Sequence, residues 1–520
     1  MSKMKGAVAA GHPATAEAAE AILRDGGNAF DAVLAAMLAA CVAEPVLCSL
    51  GGGGFLLAHP ARGETHLCDF FAQTPRRQPP EDSRDFIPVL CDFGTVQQEF
   101  HIGLASMATP GLVKGMFEIS ERLGRMPLAR IIEPAVQLAR EGVALNRLQA
   151  YIFQVVGPIY MSTKGSRRIF ESKSRPGELI GEGELVTNPD FADLLEILAI
   201  EGEDLFYRGE IAARIDADCQ AGGGALTRAD LEAFSMERRV PLELEYGGAR
   251  VFTNPPPSTG GILIAFALEM MKEIRSGLDA FGSAGHLAPL INIMGLTNEA
   301  RIESRLHETA PEKAAERLLN PDLLAVYRDR VADHPRAHRG TTHISVVDAG
   351  GNAASLTLSN GEGAGYIIPG TGVMLNNMLG EEDINPHGFH AWPTDSRLSS
   401  MMAPSLIIEP GGRLTAMGSG GSNRIRTAIL QVMIDLLDFQ MPIADAVESP
   451  RVHFERGLLN IEPGFGEAAE AVMREDYPEH ELWTDRNLFF GGVHAVRVEP
   501  RGRNLEGAGD PRRGGVSLTL

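Results

Sequence analysis

The sequence predicts an α+β chain, and three observations predict it. Periodicity is mostly helical over residues 111–275 and again over 289–330. After residue 340 the pattern changes to alternating strands joined by glycine-rich turns. Between them lies a breaker-rich run, Ala332-Asp333-His334-Pro335-Arg336-Ala337-His338-Arg339-Gly340, that is hard to pack. We therefore divide the chain into a helix-rich segment, 1–340, ending in a flexible loop, and a strand-rich segment, 341–520.

The elements follow in order. Residues 6–10 read as a short strand, and 15–24 as an alanine-rich helix stopped by Gly26-Gly27. Residues 31–42 are apolar nearly all round, which predicts a buried helix. Gly51-Gly52-Gly53-Gly54 precedes an apolar strand at 55–59, so the backbone there either turns or approaches another element closely. Residues 75–103, rich in Pro, Asp and Arg, read as an irregular excursion. Helices are expected at 130–140 and 191–201. A rigid turn, Asn254-Pro255-Pro256-Pro257-Ser258-Thr259-Gly260-Gly261, feeds an apolar helix at 262–271.

Residues 341–359 form a self-contained hairpin. With its turn centred on Gly350, opposed positions sum to 700, so Thr341 faces Ser359, His343 faces Thr357 and Ser345 faces Ser355. Side chains alternate between faces. One face carries Thr341, His343, Ser345, Ser355, Thr357 and Ser359; the other carries Ile344, Val346, Ala354, Leu356 and Leu358. The apolar face can pack on a core while the hydroxyl face lines a site, although a polar-outside surface hairpin would give the same pattern. A hydroxyl residue at a strand start after a flexible loop suits a self-cleaving hydrolase. Cleavage at Gly340–Thr341 would give Thr341 a free amine, able to act as base for its own hydroxyl. Thr342 would share the apolar face, which favours Thr341 as the nucleophile.

A second strand-to-helix unit follows. Leu414-Thr415-Ala416-Met417-Gly418-Ser419-Gly420-Gly421-Ser422-Asn423 leads into a helix at 424–439. Glycine-rich backbone at a helix start suits an oxyanion hole or anion nest, or an ordinary turn. Ser399 and Ser400, behind Arg397, could grip a carboxylate or cap a turn.

Composition excludes several classes. Net charge is −21, from 47 Lys+Arg against 68 Asp+Glu, which argues against nucleic-acid and anionic-membrane partners. Five cysteines with no C-x-x-C pair argue against a disulfide framework or zinc site. His334 with His338, and His387 with His390, have metal-like spacing but no Cys or carboxylate cluster beside them. The glycines at 361–365 lack a strand–turn–helix context, and no Gly-Lys-Ser/Thr follows Gly418. No metal or other cofactor is expected. The first residues lack an adequate apolar region for a signal peptide, and no run is long enough to span a bilayer, so a cytoplasmic protein is expected.

Together these segments resemble the γ-glutamyltranspeptidase family of N-terminal-nucleophile hydrolases, nearly end to end and in the same order. Asp25-Gly26-Gly27-Asn28-Ala29, Glu44-Pro45 through Gly51–Phe55, Thr109-Pro110-Gly111, Pro255 to Gly261, Thr341-Thr342-His343 and Asp510-Pro511-Arg512-Arg513-Gly514-Gly515 carry the likeness. The resemblance implies an αββα four-layer sandwich and a proenzyme that cuts itself before Thr341. The products would be a large and a small fragment of one precursor, with further association of the pairs open. Thr341 would attack an amide of a small-molecule or peptide substrate, form an acyl-enzyme and pass the acyl group to water or an amine. Ser359 falls where the family usually has a second threonine hydroxyl. Gly421 and Ser422 align with the oxyanion glycines, and Ser399 and Ser400 with the serine pair that holds the donor's α-carboxylate.

The departures from the family concern recognition. Phe71 stands where the family's arginine for that carboxylate should fall, Met378 replaces an acidic or amide residue, and Glu381 replaces the aspartate for the α-amino group. Just past Ser359 the chain is slightly shorter, so Asn360 only approximately replaces a family asparagine. Losing a buried Arg–carboxylate contact costs about 2–5 kcal/mol, roughly 30- to 5,000-fold in affinity, unless Arg76 or Arg77 compensates. Three readings follow: a γ-glutamyl hydrolase or transferase; a family acylase for another acyl amide, such as a short dicarboxylic-acid amide or a β-lactam side chain; and an uncleaved protein that only binds ligand. The short stretch from Glu381 to Ser399 leaves little room for a lid, which would favour water over a bound acceptor.

Overall fold

The computed structural model describes residues 5–92, 97–304, 311–320, 323–324, 341–385, 388–502 and 504–520. Gly340, the rest of the 332–340 run and His387 lie outside the described residues.

Two antiparallel sheets form the centre. Their strands are β1 Gly6–Ala10, β2 Gly53–His59, β3 His66–Phe70, β4 Glu237–Arg239, β5 Leu242–Tyr246, β6 Ala249–Thr253, β7 Thr342–Asp348, β8 Ala353–Ser359, β9 Ser405–Ile408, β10 Leu414–Gly420, β11 Gly492–Val498, β12 Leu505–Ala508 and β13 Val516–Thr519. The seven-stranded sheet runs β13-β1-β7-β8-β2-β3-β4, and the six-stranded sheet β12-β11-β10-β9-β6-β5. Both sheets contain strands from before and after residue 340, so the two segments share their sheets rather than folding side by side.

The β7–β8 hairpin has the register its sequence predicts: Thr342 opposes Leu358, His343 opposes Thr357 and Ser345 opposes Ser355. Its apolar side chains pack beneath helices α1 (Pro13–Arg24) and α2 (Ala29–Ala43). Every residue of α2 is buried, and Asn28 and Asp31 close a reciprocal cap at its start.

The opposite face corrects an expectation. Most of its hydroxyls do not line a site; they form the seam between the two sheets. Ser345 Oγ donates to the His494 carbonyl at 3.1 Å, and Ser355 Oγ to the Met417 carbonyl at 2.8 Å. The His343 imidazole bridges Thr357 Oγ1 (2.8 Å) and Ser345 Oγ (2.9 Å). Since the Ser345 proton goes to His494, His343 donates from Nε2 and accepts at Nδ1. A Cβ on Gly418 would lie 2.3 Å from the His343 ring, so this glycine exists to admit the imidazole. Gly418→Ala is expected to cost about 2–4 kcal/mol by overpacking and breaking this bridge. Urea unfolding of the variant checks it; an unchanged midpoint would refute the packing account.

Two further corrections concern strands. Residues 75–103 contain a hairpin, Ile87–Asp92 against Gln97–Ile102. The stretch read as mostly helical contains β5 and β6 of the second sheet. Its Leu244 and Tyr246 are buried while Glu243 and Glu245 are exposed, and a Gly247-Gly248 turn follows. That period of two with a glycine turn is a hairpin signal which the surrounding helical periodicity obscured. Helices α3 (Gly260–Ile274) and α4 (Arg424–Leu437) cover the outer side of this second sheet. Among the described residues no helix is long and apolar enough to cross a membrane.

Burial also sets an acid limit. Burial lowers His12, His286, His453 and His494 to about 4, and lowers His343 well below the ordinary imidazole value too. Between about 6.5 and 4 these rings are neutral in the folded chain and charged in the unfolded one, so the unfolded state binds more protons. Stability therefore falls as pH drops through that window, by about 2 kcal/mol per ring at pH 5. The melting temperature is expected to fall steadily from pH 7 to pH 5; a flat profile would contradict it.

Candidate active site

Thr341 stands immediately before β7 and Ser359 ends β8, at the open end of the hairpin. Both border a small cavity of about 50 Å³. Segments far apart in sequence complete it: Phe71, Glu381, Ser399, Ser400 and Ser422 all line it, as their selection from the sequence anticipates. Thr259, Asp383, Ile384, Met401, Met402 and Ile425 also line it and were not singled out as site residues. Two selected residues do not line it. Asn360 is 1% exposed and sits against Gly52, behind the wall. Gly421 belongs to the adjoining turn, where its carbonyl accepts from the Arg424 amide at 3.1 Å.

That turn is built around the Thr341 backbone. A Cβ on Gly420 would lie 2.1 Å from the Thr341 carbonyl oxygen, so only glycine lets the two meet. Ser422 adopts a left-handed backbone, φ 52°, which costs a non-glycine residue about 1–2 kcal/mol. Its Oγ donates to Asp383 Oδ2 at 3.1 Å, tying the turn to the 381–384 segment. Asn385 Nδ2 holds that segment in turn, donating to the carbonyls of Met378 (2.9 Å) and Glu381 (2.7 Å).

Arg513 is the residue that sequence reasoning missed. Its Nη1 donates to the Thr341 carbonyl at 3.2 Å from a buried position. Burial pulls the guanidinium down to about 10, against the fields of Asp510, Glu362 and Glu44. The closing Asp510-Pro511-Arg512-Arg513 motif explains how it gets there. Asp510 caps the turn at Pro511–Arg513 and pairs with Arg451 (2.7 Å) and Arg512 (3.1 Å). Burial alone would raise Asp510, but those two arginines outweigh it and hold its carboxyl low. Arg513 is left for Thr341. Two adjacent arginines between an Asp-Pro and a Gly-Gly are the only sequence signal.

Thr342 points the other way. Its Oγ1 donates to Glu44 Oε2 at 2.7 Å, and Thr15 Oγ1 donates to Oε1 at 2.8 Å. Burial raises Glu44 despite these bonds. Nor does a thiol compete as nucleophile: all five cysteines are buried, and burial pushes Cys68, Cys91 and Cys219 up to about 12.

The recognition wall corrects further expectations. Phe71 is 1% exposed and stacked on Phe55, with ring centroids 5.3 Å apart. Met378 is buried in the core and does not line the cavity. Arg76, left open as a compensating cation, is half exposed and pairs with Asp395 at 3.1 Å; neither it nor Arg77 lines the cavity. Arg397, just before the serine pair, points away, donating to the Phe71 and Ser235 carbonyls and stacking on Phe234 at 4.7 Å. The serine pair itself is clamped by the 254–261 turn: the Ser400 carbonyl accepts from Thr259 N (2.8 Å) and Ser258 Oγ (2.6 Å). His390 packs edge-on against Phe86 in an aromatic cluster with His101 and Phe389.

A cavity walled by hydroxyls and carboxylates, beside a glycine turn at a helix start, belongs to a hydrolytic enzyme. The family model for γ-glutamyltranspeptidase matches residues 15–520, and the chain belongs to that family. Among its relatives, a glutathione hydrolase proenzyme of Escherichia coli (strain K12) is 30% identical over 94% of this chain and 87% of its own. An acylase ACY 1 proenzyme of Pseudomonas sp. (strain V22) is 28% identical over 99% and 94%. A cephalosporin acylase of Bacillus halodurans shares the fold, with a TM-score of 0.84, 24% identity, and coverage of 99% and 96%.

Proposed function

We propose that this is a self-processing amidohydrolase whose nucleophile is Thr341, released by cleavage of the Gly340–Thr341 bond. One observation carries the reading: Thr341, Ser359 and Ser422 share a single cavity, with the Thr341 carbonyl seated on Gly420 and bonded by Arg513. In the cut chain the Thr341 amine takes the hydroxyl proton, and the oxygen attacks the substrate amide carbonyl. The Gly421 and Ser422 amides receive the oxyanion, each such donor being worth about 3 kcal/mol of barrier. The amine then protonates the leaving group, and water or a second amine resolves the acyl-enzyme. Ser359 supports the nucleophile as the second hydroxyl. We read the two sheets and their two helical covers as the αββα four-layer sandwich of this enzyme class.

The acyl group is γ-glutamyl or a related acyl chain, as the names of the Escherichia coli and Pseudomonas relatives suggest. Phe71 and the diverted arginines favour the related chain. The test is a denaturing gel of fresh protein with N-terminal sequencing. Two bands with lengths near two to one, the smaller beginning at Thr341, support the reading. A single band that stays whole and inert on incubation refutes it and favours a protein that only binds ligand.

A further inference from the structure

We infer that a second pocket, remote from the candidate active site, binds a small organic anion: a phosphate or carboxylate head carried on an apolar body. The inference stands apart from the Thr341 reading and goes beyond it.

The pocket measures about 450 Å³, a size that suits a small molecule. It lies where the sheet-edge strand β4 meets the helix Leu112–Leu123 and the turn after β2. It shares no described lining residue with the cavity at Thr341. Asn352, in the β7–β8 turn, lines it, whereas Thr341 and Ser359 stand at the open end of that hairpin. The two sites are therefore a strand's length apart.

Strand register supplies its cations. Cys68 of β3 lies directly opposite Arg238 of β4, so both project from one face of the sheet, and His66 projects from the same face two residues away. Arg239 projects from the other face and is occupied there, pairing with Asp69 and Glu237 at 2.7 Å each. Arg238, and Arg62 in the turn after β2, are exposed and make no ion pair among the described residues. Arg122 adds a third guanidinium from the helix, where Glu118 meets it at 3.2 Å. Glu64 also lines the pocket. Three guanidiniums thus face two carboxylates, one of them already paired, on a chain whose net charge is −21. The fields of Arg238, Glu118 and Arg122 all reach the buried Cys68 thiol, which places these groups around the pocket floor.

An oxyanion entering here would meet the unpaired forks of Arg238 and Arg62, which match phosphate and carboxylate oxygens two at a time. Its apolar body would displace water from Phe30, Ile119 and Met236. His66 adds a directional contact. Its Nδ1 donates to the Glu64 carbonyl at 3.1 Å, and burial, with the field of Arg238, lowers its pKa. The neutral ring therefore keeps Nε2 as an acceptor for a ligand N–H or O–H. A cationic molecule would face like charge at three positions.

Calorimetric titration of the full chain at pH 7 with four probes separates head from body: phenyl phosphate and benzoate (both parts), inorganic phosphate (head alone) and benzamide (an uncharged body). The better of the two complete anions is expected to bind about tenfold or more tighter than inorganic phosphate or benzamide. Phenyl phosphate as the better one assigns a phosphate head, and benzoate a carboxylate head. Arg62→Ala and Arg238→Ala should each weaken that anion about fivefold or more, with the urea midpoint and anilide turnover unchanged. In histidine-labelled protein the His66 resonance, assigned with His66→Gln, should move on binding and titrate at higher pH, because the bound anion offsets Arg238. Undiminished binding in the double variant Arg62→Ala/Arg238→Ala would overturn the inference. So would benzamide matching both anions, an unmoved His66 resonance, or no binding of either anion at millimolar concentration.

Discussion

Thr341→Ala is expected to leave the chain uncut and to lower turnover of any acyl anilide by about ten-thousand-fold or more. The size follows from the double role of the residue. Its hydroxyl is the group proposed both to open the Gly340–Thr341 bond and to attack substrate, so its loss removes both events. Ser359 shares the cavity but not the chain start, and has no liberated amine of its own to act as base. Thr341→Ser keeps the hydroxyl and should retain processing and measurable turnover. A gel and a progress curve on both variants decide the matter. An alanine variant that still yields a fragment beginning at residue 341 would move the nucleophile elsewhere.

Arg513→Ala should produce the second largest effect, on stability and activity together. The guanidinium is buried among Asp510, Glu362 and Glu44 and bonded to the Thr341 carbonyl. Removing it leaves buried carboxylates under-compensated, a loss of about 3–5 kcal/mol. It also frees the carbonyl that sets the Thr341 position, and a shift of about 1 Å at a reacting group can cost on the order of a hundredfold in rate. Arg513→Lys separates the two effects. It restores positive charge but not the planar fork, so the melting temperature should recover further than kcat. Equal recovery of both would mean that Arg513 acts through stability alone.

The fold was legible where the pattern is local. Strand alternation and one glycine turn were enough to register residues 342–358, because both are set by neighbours a few positions away. The all-apolar stretch of α2 announced its own burial. The β5–β6 hairpin was hidden because its alternation is short and sits within a long helical stretch.

The candidate site was legible in part. Thr341, Ser359, Ser399, Ser400, Ser422, Glu381 and Phe71 could be named from their residue types and the order of family motifs, and they do share one cavity. Arg513 could not, since its partner Thr341 lies 172 residues away and nothing local distinguishes it from Arg512. Nor could the fate of Arg76 and Arg397, which depends on where Asp395, Asp69 and the Phe71 carbonyl stand in space.

By itself, then, the sequence determined the hairpin and its register, the strand-to-helix turn, and the order of motifs that marks the family. Only the tertiary structure decided that most of the hydroxyl face seals two sheets together, that Arg513 rather than a neighbour bonds the Thr341 carbonyl, and that the described lining of the candidate cavity holds no Lys, Arg or His. The physical reason is range. Periodicity and turn chemistry act over a few residues, whereas burial, like-charge opposition and the pairing of a guanidinium depend on which distant segments the fold brings within a few ångströms.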